Sequence, residues 1–478
     1  MMPTGNQKIT QTTNMHRQIF SWPAMILVFV MVLAFICAWI LGQLSLEKQP
    51  DSAGYISFAR ASLHETLTSV ITLGYPSFLR ALSIFNPTYS WLPTLQLLIH
   101  SVAVLCFFWA LIAFGAPAAA SCAASIALAL SALNDGFFSV LGTDSIGQSL
   151  ALLTIAGCFW AVARKKKWWP PVLIALAALA CYQVRPVYLM LIGFIPCLTF
   201  TLLILHPQSE KRFGFVVRLP AMLLALLLGP FLLFCSFRWA TVGHFGLVSF
   251  SGWNQISITS EMLTVNSIRS RIPARWNELS SIILKERAKQ GIVAAFQERK
   301  INYQQWRDNY DSNQRIALRS AIGFFGENPV LVNRLLSQFS KDLIKSSPRP
   351  YFEFVAKNIF RGIILEVING QYVLIFGLAL LILVFYSRQL VLGWRKQVFA
   401  LADTDPFPSY VRDGLALGAG FLLIMKVIVV CLFENPIRRY IHPAGMLMPA
   451  LIGLLLFIEI KLFDNMGWPC RKLSSKSS

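Results

Sequence analysis

The feature that most constrains this chain is the recurrence of apolar blocks of about 17 to 24 residues, each long enough as a helix to cross a hydrocarbon core of ~30 Å. Hydrophobic residues make up 56% of its 478 positions, and the runs of Leu, Ala, Val and Phe do not alternate with period two. A backbone that must satisfy its own hydrogen bonds in lipid is then expected to be helical rather than a barrel. Ten spans are predicted, at 21–43, 92–114, 117–133, 145–163, 169–184, 187–206, 219–240, 369–387, 413–433 and 443–461. The blocks at 117–133 and 169–184 are short, rich in alanine and open at proline, as a tilted or broken crossing would. The first block is too long for a signal-peptide core and lacks a small-residue cleavage site, so it reads as a retained anchor. The expected fold class is an all-α polytopic membrane protein.

Charge gives an orientation. With the N-terminus inside, 17 basic residues fall in inner segments, among them the run Arg164, Lys165, Lys166 and Lys167, against six in the short outer loops. The positive-inside rule favours that arrangement, with both termini in the cytoplasm. The net charge of +20 sits largely in those inner loops, where it sets topology and meets anionic lipid, so nucleic acid is not expected as a partner. Eight of the nine cysteines lie in or at the ends of apolar blocks, which implies no disulfide framework. No P-loop, GxGxxG or zinc-spaced Cys/His set occurs, and no Asn-X-Ser/Thr sequon, a composition that suits a bacterial inner membrane.

The chain divides into an N-terminal membrane module (1–240) with a first outer loop at 44–91, an outer helical segment at 241–368, C-terminal membrane helices (369–461) and a cytoplasmic tail (462–478). The first loop reads as two short helices, one after Pro50 and one around Pro76 to Phe85. In the outer segment, Asn328 and Pro329 predict a helix start, and Val332, Leu335, Leu336, Phe339 and Leu343 then form one apolar stripe. The stretch from Pro350 that carries Lys357 and Arg361 suits a helix lying in the headgroup layer.

Few polar residues gather on the outer side. Asp51, just after Pro50, is either a helix cap or a carboxylate that accepts a proton from an attacking hydroxyl; position 54 is Gly, so no capping box supports the first reading. Asp144, in G-T-D-S, suits a helix N-terminus, or a second acid that divides labour with Asp51. Arg185, in Y-Q-V-R-P-V-Y-L, either snorkels to lipid phosphate or forks onto a specific anion. The loop F-E-N-P-I-R-R-Y-I-H-P packs Glu434, Arg438, Arg439, Tyr440 and His442 together outside, where basic residues are disfavoured, and this points to phosphate binding. Lys426 lies inside the ninth span, where an ammonium is costly unless partnered or watered, although a place in the inner half would allow snorkelling. His64, Glu65, His100 and Trp253 carry weaker signals.

These pieces resemble the GT-C glycosyltransferases. The resemblance runs through Asp51, Tyr55 and Ala59, then Gly74, Tyr75, Pro76, Phe78 and Leu79, the outer T-D-S, an R-P-x-Y-L element, and Arg439, Tyr440 and Pro443. Among GT-C enzymes the pattern is most similar to bacterial relatives of protein mannosyltransferases and of the aminoarabinose transferase. It implies a GT-C-like bundle and transfer of a sugar from a polyprenyl-phosphate donor to a lipid, glycan or protein acceptor, on the outer face. By that resemblance Asp51 and Asp144 are the catalytic acids. Arg185, Arg438 and Arg439 hold the donor phosphate, with Tyr440 and His442 beside them, and Tyr55, Tyr75 and Glu434 are substrate contacts. Where many relatives carry Asp-Glu, this chain has Asp51 and Ser52. A single carboxylate is a poor site for a divalent cation, so no cofactor is expected and metal-independent transfer is favoured over a metal-dependent one. Two other readings compete: a surface-polysaccharide polymerase or ligase using lipid-diphosphate donors, and a transporter or flippase, which would need charge deep in several spans.

Overall fold

The computed structural model describes residues 22–164, 167–206, 213–264, 272–293, 295–297, 300–368, 408–434 and 445–465. Helix α1 (Trp22–Ile40) leads into three short helices, α2 (Ser52–Arg60), α3 (Leu63–Thr68) and α4 (Gly74–Phe85). Next come α5 (Leu92–Phe114), α6 (Ala118–Asp135), α7 (Asp144–Ala163), α8 (Trp169–Val184), a 3-10 turn at Pro186–Met190, α9 (Leu191–Leu205) and α10 (Phe213–Val242). A helical insert holds α11 (Ser251–Thr259), α12 (Asn277–Lys289), α13 (Tyr303–Asp308), α14 (Tyr310–Phe325), α15 (Pro329–Ser346) and α16 (Pro348–Ile368). The chain then returns to the bundle with α17 (Ser409–Phe433) and α18 (Met448–Asn465). The described strands are two residues each, Phe296–Gln297 pairing antiparallel with Lys300–Ile301.

Six described helices are long and apolar enough to cross a membrane: Trp22–Ile40, Leu92–Phe114, Asp144–Ala163, Pro186–Leu205, Gly214–Val242 and Ser409–Phe433. Three shorter apolar helices, Ala118–Leu133, Trp169–Val184 and Met448–Glu459, pack among them. The expected span at 369–387 lies outside the described residues. Apolar side chains are exposed along whole helix faces, including Trp22, Phe29 and Trp39 on α1 and Leu233 and Trp239 on α10. Water does not tolerate apolar surface of that extent, whereas lipid solvates it. The chain is a polytopic helical membrane protein. Its core runs through α5, α7 and α9 and takes in Phe107, Phe114, Phe159, Phe194 and Leu198.

The insert has its own core. The expected stripe of α15 is buried at Val332, Leu336, Phe339 and Leu343 against Ile256 of α11, Leu279 and Ile283 of α12, and Ile316 of α14. Asn328 caps α15 by accepting from the Val330 and Leu331 amides. A fully buried carboxylate, Glu261, ties the insert together. It accepts from Arg287 Nη2 (3.0 Å), the Ala295 amide (2.9 Å), Asn309 Nδ2 (2.6 Å) and Asn313 Nδ2 (2.7 Å), which meets the demand of a buried charge for several donors. Helix α16 exposes Phe352 and Phe360 on one side, while Ile359 and Ile363 pack on Leu423, Val427 and Val430 of α17. It is therefore docked on a spanning helix as well as carrying an apolar outer face.

The insert, the first loop and two turns of the bundle meet at one end of the molecule. Buried Arg238, near the end of α10, donates to Leu67 O in the last turn of α3 (2.8 Å), Gly246 O (2.9 Å) and Ser249 Oγ (2.7 Å). One guanidinium so joins a spanning helix, the first loop and the start of the insert.

Candidate functional site

Four hydrogen-bonded clamps build this end. The turn before α7 lies beside the chain after α1: the Glu47 amide donates to Ser139 O (2.9 Å) and the Leu141 amide to Glu47 O (2.9 Å). Gln96 Nε2 of α5 holds the same turn from below, donating to Phe138 O (2.8 Å) and Val140 O (3.0 Å). Ser52 Oγ then donates to Leu141 O (2.7 Å), which joins the first turn of α2 to the residue three before Asp144. On the other side, Thr72 Oγ1 donates to Val184 O (3.0 Å), beside Arg185. Gly74 lies so close to α8 that a Cβ there would fall 2.5 Å from Gln183 O, so only glycine fits.

Asp144 and Arg185, distant in sequence, are direct partners. The Arg185 Nη1 and Asp144 Oδ1 atoms form an ion pair in which the two side chains are 11% and 2% exposed. Asp144 is the first residue of α7, where the helix dipole favours an anion, and Arg185 sits in extended backbone between α8 and the 3-10 turn. Asp51 occupies the N-cap position of α2 in helical backbone, with no side-chain bond to the helix N-terminus, so its carboxylate is not a cap. It is exposed, one residue from the Ser52 clamp.

Tyr55 and Tyr75 meet edge to face with ring centroids 5.0 Å apart. Tyr75 is wholly buried among Leu79, Leu141 and Val184, so it braces the site from behind, and burial pushes its hydroxyl pKa up. Glu434, which ends α17, accepts from Asn254 Nδ2 of α11 (2.6 Å), and Asn254 Oδ1 accepts from Gln314 Nε2 (3.0 Å). That carboxylate fastens the insert to the bundle. Arg438, Arg439, Tyr440 and His442 lie outside the described residues.

Lys426 does not snorkel. Its side chain is 0% exposed, and Nζ stands 4.6 Å from the centroid of the Tyr188 ring, three residues after Arg185. Arg185 and the buried Glu366 of α16 are its charged neighbours. His100 is a satisfied core histidine, with Nε2 3.4 Å from Leu128 O and Nδ1 3.3 Å from Ser149 Oγ. His64 and Thr68 border a cleft of about 510 Å³ whose far wall is Asn328, Leu331 and Arg334.

Sequence reasoning missed Glu366 and Arg238, and it took in Tyr188 only as part of the R-P-x-Y-L element, without a role. For Glu366 and Arg238 the signal was present, a lone charge within an apolar run, I-I-L-E-V and C-S-F-R-W. Helix α3 was also missed, although Ser62 and Glu65 form the capping box that announces it. Comparison with known proteins finds no matching family model, no similar curated sequence and no similar solved structure, so the function is read from the chain's own residues.

Proposed function

We propose that this protein is a GT-C-type membrane glycosyltransferase that moves a sugar from a polyprenyl-phosphate donor to a lipid, glycan or protein acceptor. In this reading ten spans cross a bacterial inner membrane, both termini are cytoplasmic, and the insert and first loop face outward. The observation that carries it is the buried Asp144–Arg185 pair clamped directly beside the loop that presents Asp51.

The chemistry follows from that arrangement. An acceptor oxygen attacks the anomeric carbon, the bond from that carbon to the phosphate oxygen breaks, and the lipid phosphate leaves with the electron pair. Asp51 takes the acceptor proton. Attack opposite the leaving group inverts the anomeric centre. The departing phosphate already carries charge, so guanidinium groups suffice to stabilise what develops on it, with Arg185 oriented by Asp144 and Arg438 and Arg439 joining from the loop after α17. The bundle holds the prenyl tail and the cleft end receives the acceptor, which is catalysis by positioning.

Buried Lys426 and Glu366 give the transporter reading a specific footing, since charge within a bundle marks ion and substrate pathways. One reconstitution separates the two. Purified protein in lipid vesicles is given radiolabelled prenyl-phosphate sugars, prenyl-diphosphate sugars and candidate acceptors. A labelled acceptor from the monophosphate donor alone is the expected result. Label from the diphosphate alone would establish the polymerase or ligase, and movement of the lipid-linked sugar across the membrane without transfer would establish a flippase.

A further inference from the structure

A cleft of about 510 Å³ lies where the first loop, the last turn of α10 and the start of α15 meet. Its volume falls within the roughly 300–1,000 Å³ of small-molecule sites, and none of its side chains takes part in the proposed transfer. Its walls are held in place by hydrogen bonds. Buried Arg238 donates to Leu67 O, next to Thr68 on one wall, and to Gly246 O, while Arg334 Nη2 donates from α15 to Gly243 O just past α10. Asn328 fixes the remaining side by capping α15.

Helix α10 sets what the cleft faces. Leu233 (73% exposed), Phe237 (50% exposed) and Thr241 recur every four residues and so lie along one face of that helix. Leu233 and Phe237 belong to the apolar surface that lipid solvates, and Thr241 lines the cleft, so a lipid-facing stripe runs directly into it. Exposed Trp239, in the last turn of α10, marks headgroup depth, where tryptophan is enriched. The polar lining is cationic and hydroxylic: Arg334 and His64 are exposed, Thr68 and Thr241 add hydroxyls, and no carboxylate is among the described lining residues. Glu65, next to His64, is engaged in the Ser62 capping box, accepting from its amide (2.7 Å) and Oγ (2.9 Å). Nearby His244 is held below the usual histidine pKa by burial and by the Arg238 and Arg334 guanidiniums, in keeping with a positive local field.

We infer that this cleft binds the headgroup of an anionic glycerophospholipid, with an acyl chain lying along Leu233 and Phe237 and the phosphodiester between Arg334 and His64. A guanidinium matches the phosphate oxygens, and the Thr68 and Thr241 hydroxyls match a polyol headgroup. Basic pockets beside spanning helices take anionic headgroups in this way. The bound lipid ties the first loop to the insert across the seam that Arg238 already joins. The site uses none of the acids and arginines of the proposed transfer, and it stands whether or not the protein transfers sugar.

The test uses the full chain in nanodiscs of zwitterionic phosphatidylcholine into which phosphatidylglycerol is titrated. Melting temperature is read in the nanodisc, and the lipid retained per protein is read by native mass spectrometry after release. The parent is expected to retain phosphatidylglycerol at least about ten-fold over phosphatidylcholine and to melt several degrees higher as it is added. Arg334→Gln is expected to lose both effects, and Arg334→Lys, which keeps the charge, to hold most of them. His64→Asp places a like charge in the cleft at an exposed position, where folding is little affected, and is expected to lose the selectivity as well. Retention of phosphatidylglycerol at the parent level by Arg334→Gln or by His64→Asp overturns the site. Equal retention of phosphatidylcholine overturns the anionic headgroup, and equal protection by soluble glycerol phosphate overturns entry from the lipid side. Displacement of phosphatidylglycerol by an equal amount of a prenyl phosphate overturns the glycerophospholipid assignment.

Discussion

At the scale of single residues, the site depends on one buried ion pair. Removing one partner strands the other charge out of water, so Asp144→Ala is expected to destabilise the protein by about 3–5 kcal/mol, and Arg185→Met with Asp144→Ala to recover most of that loss. Chemical denaturation in detergent measures both, and a single variant as stable as the parent would mean the pair contributes nothing. The sequence supplied the position and chemical type of each partner but not their partnership, because residues 144 and 185 meet only through the packing of α7 on α8. Asp51 was balanced between cap and reactive acid because both place a carboxylate at the same point of a chain. The absence of a side-chain bond to the α2 N-terminus bears on the cap reading alone. Tyr75 shows the opposite limit: its place in a motif suggested a substrate contact, while its burial makes it a brace.

At the scale of elements, local periodicity was the most legible layer. The α15 stripe and its Asn328 cap were readable because each depends on residues a few positions apart. Helix α16 was read from its exposed aromatics and cations, and its docking on α17 was not, since a helix does not announce which neighbour covers its second face. The insert carries a pH-dependent element of its own. Partial burial opposes the charge of Asp342, but hydrogen bonds from Trp276 Nε1 (2.8 Å) and Arg275 Nη2 (2.6 Å) hold its pKa below the usual aspartate value. A carboxylate with a lowered folded pKa adds stability that is complete above about pH 4 and is lost as pH falls through the lowered value. Asp342→Asn is therefore expected to melt below the parent at neutral pH, with the gap closing towards about pH 3. A gap independent of pH would assign Asp342 a packing role only.

At the scale of the whole molecule, the apolar blocks dictated a helical bundle in lipid, and the structure brings the first loop, the turns before α7 and after α8, and the insert to one end of it. If that end faces outward, cysteines introduced at exposed Ser57 on α2 and Ser281 on α12 are both labelled in intact cells by an impermeant thiol reagent. Labelling of either only after lysis would reverse the orientation, and labelling of one without the other would separate the loop from the insert. The pairing of Asp144 with Arg185 and the approach of Lys426 to Tyr188 were not legible in the sequence, because they join two helices and a turn through buried groups spread over some 280 positions. The most direct measurement of the central claim is sugar transfer from a radiolabelled prenyl-phosphate donor by the purified parent and by Asp51→Asn, with donor binding measured on the same samples. The predicted result is that Asp51→Asn binds donor like the parent and loses transfer by about 100-fold or more; an Asp51→Asn protein that transfers sugar at the parent rate contradicts it.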